Sequence, residues 1–238
     1  MLYIPDAMKA SVLKAARDKA GWAQVYLAKR LDVTQAYLSL MESGKRPVPP
    51  RLAHRLARLF DLPPTVLPVM TKQVSKHRAT NDWFGAQLAR LNYPGFSYRK
   101  RPGAVRHPAD VLLAALAFDE LEPRLVEALP WLLLHYAGLD TEQLVADAKS
   151  RDLQNRLGFM VVLARQVAER RQGFERRLSE LRHFEAALEP SRLAREETFG
   201  QGHAHERLRE WLRGERSDEA RHWNLLTDLR VEHLPYAR

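Results

Sequence analysis

Between Gln24 and Gly44 the residue types sort onto two faces of two short helices. Leu27, Ala28, Leu31, Val33 and Leu38 fall where such a pair must be apolar to pack against itself, and Ala28 is small where the helices approach most closely. Thr34 can cap the second helix through its hydroxyl, and Gly44 can end it by supplying a left-handed residue. The second helix is left with a polar outer face of a size that fits the major groove of duplex DNA. The chemistry in reach is recognition, carried by amide, hydroxyl and methyl groups.

Signals for catalysis are absent by comparison. His203-Ala-His205-Glu206, with His222 nearby, suggests a metal, but the spacing lacks the second half of HExxH and the chain contains no cysteine. Two histidines one residue apart cannot face the same way on a helix, so surface histidines are expected. Asp119, Glu120 and Glu122 cluster between apolar stretches, as acidic residues between helices commonly do. No Gly-rich phosphate loop, Gly-x-Ser-x-Gly elbow or Ser-x-x-Lys occurs. The sequence therefore predicts no enzyme, no metal and no cofactor.

Around the helix pair the spaced positions agree with one known pattern. Arg17 lies in a first helix, Gly21 precedes the second and Gln24 opens it. Leu27-Ala28, Leu31-x-Val33, a polar third helix, Glu42-x-Gly44-Lys45-Arg46 and a closing helix with Leu-Ala follow. Over about residues 10–70 the chain resembles the phage repressor and Cro-like (XRE-type) helix-turn-helix domains. It departs from them at the inter-helix turn, which usually carries Gly and here has Asp32. Aspartate tolerates left-handed backbone at a cost of roughly 1 kcal/mol.

The resemblance implies that the second helix of the pair enters the major groove while the first crosses the backbone. Gln35 and Ala36 would then face the bases first, with Ser39 and Leu40 one turn later. Gln35 can pair bidentately with adenine, and Ala36 or Leu40 can touch a thymine methyl, which points to an A/T-leaning site. Gln24, Thr34, Tyr37, Ser43, Lys45 and Arg46 match positions at the sugar-phosphate backbone, where contacts set register without reading sequence. Arg17 and Glu42 match a buried or half-buried structural ion pair.

Charge supports a polyanionic partner. The 238 residues carry a net charge of +9, unevenly divided. Residues 1–108 hold 19 Lys/Arg against 6 Asp/Glu, and residues 109–238 hold 19 against 23, so the excess positive charge accompanies the helix pair. Cations of this kind gain affinity for nucleic acid by releasing condensed counterions. The absence of cysteine excludes a disulfide framework and thiol catalysis. No apolar run reaches the roughly 18 residues of a membrane helix, and the start lacks the order of a secretion signal. A cytoplasmic protein with no membrane association is the expectation.

Helical periodicity runs through the whole chain and predicts an all-α fold. Five helices fit the first 70 residues, at about 6–20, 24–31, 34–42, 49–60 and 64–69. Pro49 and Pro50 suit a first helical turn, and Pro63 and Pro64 stop the fourth helix. Residues 72–108 read as a turn-rich connector with one short helix at 82–91, its Arg99, Lys100 and Arg101 interleaved with Tyr93, Phe96 and Tyr98. These cations can lie along a phosphate backbone or enter a minor groove; alternatively the aromatics dock the flanking domains and the charges are solvated. Further helices fit 109–118, 123–136, 141–149 and a long kinked or divided stretch at 153–188, then 191–198, 204–213 and 217–228. The division expected is a helix-turn-helix domain over 1–71, a basic aromatic connector over 72–108 and a helical dimerisation or partner domain over 109–238.

Two functions suit a helical domain beside such a head. One is a sequence-specific transcriptional regulator, a repressor binding a palindromic operator as a homodimer, with half-sites about 34 Å apart. The other is an antitoxin-like protein that neutralises a toxin or other operon product through residues 109–238 and autoregulates its operon. The stretch from Leu153 to Arg165 distantly resembles segments of regulators and antitoxins in mobile or defence-linked prokaryotic operons, and no functional residue is carried over from it.

Overall fold

Left-handed residues punctuate the helices. Among the described residues every non-glycine with positive φ is Asp or Asn: Asp32, Asp61, Asn92, Asp152 and Asn224. Each follows a helix, as do Gly21, Gly44, Gly138 and Gly173. These residue types tolerate the αL conformation that releases the chain from a helix and lets the last carbonyls be satisfied. The computed structural model describes residues 7–69, 79–99, 102–200 and 204–237. Almost all regular structure is helical, so the fold is all-α. Among the described residues no helix is long and apolar enough to cross a membrane.

The chain forms two compact units, residues 1–73 with 102–110 and residues 74–101 with 111–238. In the first unit α1 (Ala10–Lys19), α2 (Gln24–Leu31), α3 (Gln35–Glu42) and α4 (Pro50–Leu59) surround one core, followed by a 3-10 turn at Pro64–Val66. Leu13, Leu27, Ala28, Leu31, Leu38, Met41, Ala53 and Leu56 are buried there, joined by Met8, Val48 and Leu67. Met8 and Val48 also form an isolated antiparallel bridge. Residues 102–110 return to this unit: Val105 packs against its core, and the His107 ring lies 3.2 Å through Nε2 from the Thr65 carbonyl.

The second unit contains α5 (Asn81–Arg90), a 3-10 segment at Pro94–Arg99, the greater part of α6 (Pro108–Leu116), α7 (Pro123–His135), α8 (Thr141–Lys149), α9 (Gln154–Arg170), α10 (Glu175–Leu188), α11 (Glu206–Glu215) and α12 (Asp218–His222). Helix α9 is its axis. Its apolar stretch from Leu157 to Ala164 is buried throughout, and the helix packs against α7, α8, α10 and α12. Gly173, at φ +86°, lies in the break between α9 and α10. Charged side chains pair across the two helices, Arg165 with Glu185 at 2.7 Å and Arg182 with Glu169 at 3.1 Å.

Two expected helices are replaced. Residues 191–198 are not an α-helix, and the helix expected over 217–228 ends at His222. Instead β1 (Glu197–Thr198) pairs in parallel with β2 (Leu225–Leu226). The cause is side-chain competition for backbone groups. Asn155 grips Leu193 at both ends, accepting from its N–H at 2.8 Å and donating to its carbonyl at 2.9 Å. Asn224 donates to the same carbonyl at 2.7 Å, and its own φ of +52° stops the preceding helix. With those groups taken, the segment lies extended.

Trp223 is fully buried, and its six-membered ring lies over Gly158 in α9. A Cβ at that glycine would stand 2.4 Å from the Trp223 ring carbons, inside any real contact distance. Gly158→Ala should therefore destabilise the second unit by about 1–3 kcal/mol through overpacking. Urea denaturation reads this, and a midpoint equal to wild type would refute the packing account.

His107 supplies a pH dependence. Burial pushes its imidazole down to about 4, against an upward push from the Thr65 carbonyl, and its Nδ1 accepts from the Ala109 N–H. Because the folded pKa lies below the ordinary value of about 6.5, the unfolded chain binds more protons below that pH, and stability falls on acidification. Between pH 7 and pH 5 the loss should be about 2 kcal/mol greater in wild type than in His107→Gln. His54, lowered by burial and by Arg106 and Arg58, adds to the slope in both proteins. Chemical denaturation at the two pH values measures the difference; equal losses would contradict it.

Candidate nucleic-acid interface

The site begins with a buried carboxylate. Glu42 ends α3 with its side chain only 3% exposed. An ion there must be paired, since leaving it alone would cost several kcal/mol. Arg17 from α1 meets it at two points, Nε to Oε1 at 2.6 Å and Nη2 to Oε2 at 3.0 Å. Gln24, opening α2, donates Nε2 to Oε2 at 2.8 Å. The third Arg17 nitrogen donates to the Trp22 carbonyl at 2.8 Å. One carboxylate thus ties three helices together. Burial pushes its pKa up, but the hydrogen bonds from Arg17 and Gln24 and the Arg17 charge outweigh that, leaving it lowered.

The turn between α2 and α3 is fixed from both sides. Asp32 adopts φ 59°, ψ 49° at the end of α2, the left-handed geometry its neighbours require. Arg55 reaches from α4 and donates to the last carbonyls of α2, Leu31 at 3.0 Å and Arg30 at 2.6 Å. Thr34 caps α3, its Oγ1 accepting from the Tyr37 N–H at 3.2 Å. Beyond α3 the Ser43 hydroxyl donates to the Leu40 carbonyl at 3.2 Å, and Gly44 turns at φ +72°.

Against this frame Gln35, Ala36, Ser39 and Leu40 lie together on the exposed face of α3. Thr34, Ser43, Lys45 and Arg46 are exposed around its two ends. Tyr37 is half-buried against the core, and the Arg46 guanidinium lies 6.0 Å over its ring, a cation–π placement. Gln24 is half-buried with its amide nitrogen engaged by Glu42. Sequence reasoning missed this third partner of the ion pair and missed Arg55, whose position in α4 looks like any solvated helix cation. Only the return of α4 across α2 reveals its role.

The other flagged residues lie elsewhere. Tyr93 and Phe96 are buried in the second unit, with Tyr93 against Trp131 and Tyr236. Tyr98 is exposed, and Arg99 lies over the Phe96 and Tyr98 rings with a 3.0 Å ion pair to Asp82. Lys100 and Arg101 lie outside the described residues, as does His203. His205 caps α11 through Nδ1, and His222 pairs with Glu189 at 2.8 Å. Among the described residues no group of three or more His, Asp or Glu is placed to hold a metal ion.

Residues 13–67 match the family model described as Helix-turn-helix, a segment under a quarter of the chain. No curated protein and no solved structure matches. The family match and the geometry agree that this segment is a helix-turn-helix DNA-binding domain of the repressor and Cro-like kind, the class carried by transcriptional regulators.

Glu42→Ala would strand the Arg17 charge and release Gln24, so it should cost about 3–5 kcal/mol of stability. Thermal unfolding followed by circular dichroism tests this. A wild-type melting temperature would show that the carboxylate does not hold the helices.

Proposed function

We propose that the protein is a sequence-specific repressor that binds a palindromic operator as a homodimer, through the face of α3. The observation that supports this most directly is the exposure of Gln35, Ala36, Ser39 and Leu40 on a helix whose other side is fixed by the Arg17–Glu42–Gln24 network. In this reading Gln35 pairs with adenine, and Ala36 and Leu40 meet thymine methyl groups. Thr34, Ser43, Lys45 and Arg46 hold the phosphates on either side, with Tyr37 keeping Arg46 in place. Gln24 serves the backbone contact indirectly, by fixing the start of α2. The second unit supplies the dimer contacts that bring two heads to two half-sites, or the surface through which another protein changes operator affinity.

Binding-site selection from random duplexes, run with wild type and Gln35→Ala, tests the reading. Wild type should enrich a two-fold symmetric A/T-leaning site. Gln35→Ala should lose preference at one position per half-site, by about 1–3 kcal/mol of discrimination. Unchanged preference would remove Gln35 as a reader, and an asymmetric single site would remove the dimer.

A further inference from the structure

The head carries an open groove whose lining does not include the α3 face. On α2 and α4 this groove of about 550 Å³ is lined by Tyr26, Lys29, Arg30, Arg55 and Leu59. Three of its five lining residues are cationic, and none is acidic. Its apolar part is uncovered: Tyr26 is 48% exposed, and the neighbouring Val25 is 61% exposed. These are two of the five large hydrophobics exposed among the described residues, and they are adjacent in the chain. The Trp22 ring meets Tyr26 edge-on at 4.8 Å and Phe60 at 5.2 Å, giving Tyr26 an aromatic support.

Two of the three cations are held by contacts within the protein. Arg55 is fixed by the carbonyls of Arg30 and Leu31, and the Arg30 guanidinium lies 6.0 Å over the Trp22 ring. Side chains already ordered lose little entropy when a ligand arrives. The residues of the α3 reading face take no part in this lining.

We propose that the groove between α2 and α4 docks a short acidic peptide segment of a partner protein, one that also bears an aromatic or large aliphatic side chain. The carboxylates would lie against Lys29, Arg30 and Arg55, and the apolar side chain between Tyr26 and Leu59. Charge complementarity selects the acidic partner. A phosphate backbone would use the cations but has no apolar group for Tyr26 and Leu59.

The test uses the full chain and a displayed library of random 12-residue peptides, selected on wild type and then measured individually. Enriched peptides should carry net negative charge with at least one aromatic or large aliphatic residue. They should bind Lys29→Glu/Arg30→Glu at least tenfold more weakly, and Tyr26→Ser likewise, with unchanged circular dichroism. Duplex affinity of Tyr26→Ser, measured by gel shift on the selected operator site, should change less than threefold, and that of the charge variant should fall by a smaller factor than its peptide affinity. If the double variant does not fold, Lys29→Glu alone, at an exposed position, carries the charge test. Three results would each overturn the proposal. One is enrichment without charge bias or without sensitivity to these variants. Another is loss of duplex affinity by the same factor as peptide affinity, which would make the groove a phosphate contact. The third is a change of oligomeric state with no peptide binding, which would make it a contact between copies. Loss of operator selection by wild type itself would instead count against the repressor reading, so the two failures are separable.

Discussion

A carboxylate taken out of water must be answered by the chain around it, and Glu42 is answered by two other helices. The pairing is angular as well as energetic. A guanidinium meeting a carboxylate at two points fixes both planes, and the Gln24 amide adds a third direction. Helices α1, α2 and α3 consequently cannot slide or rotate past one another without exposing a bare charge to the core. Such short helices would be marginal alone. Their relative setting, and with it the direction in which the outer face of α3 points, depends on this one group.

The second unit meets a related demand with one neutral amide and one guanidinium. Asn155 is fully buried and spends its amide on the backbone of Leu193. Arg156, next to it, reaches the carbonyls of Leu116 at 2.6 Å and Thr198 at 3.2 Å as well as Glu197. Two adjacent residues of α9 therefore satisfy backbone groups at Leu193, at Thr198 and at the end of α6. Burial keeps the pKa of Glu197 raised even though Arg156 and Arg195 pull it down. Irregular backbone can lie close to a core only when its polar groups are satisfied in this way.

Legibility in the sequence followed how local the causes were. The boundaries of α2, α4 and α8 stood within a residue or so of those read from periodicity, prolines and caps, because cap and stripe lie within one turn of each other. The segments 191–198 and 217–228 misled for the opposite reason. Their helical spacing is real, but the groups that pull Leu193 into extended chain include Asn155, 38 positions away. Gly158 had no signal either, since its necessity comes from Trp223. In the head, Arg17 and Glu42 could be singled out through the family resemblance, whereas Gln24 as their companion and Arg55 as the clasp of α2 become visible only in three dimensions.

The return of residues 102–110 to the head bears on what counts as its minimal folded piece. A polypeptide stopped at residue 73 would contain every helix of the reading unit and still leave part of its core uncovered, because Val105 completes the apolar packing from a distant point in the chain. It would also leave the Thr65 carbonyl without the imidazole that meets it. The covalent order of the protein and the order of its packing are different things, and a protease cutting the intervening stretch would part the chain without freeing the head from residues 102–110.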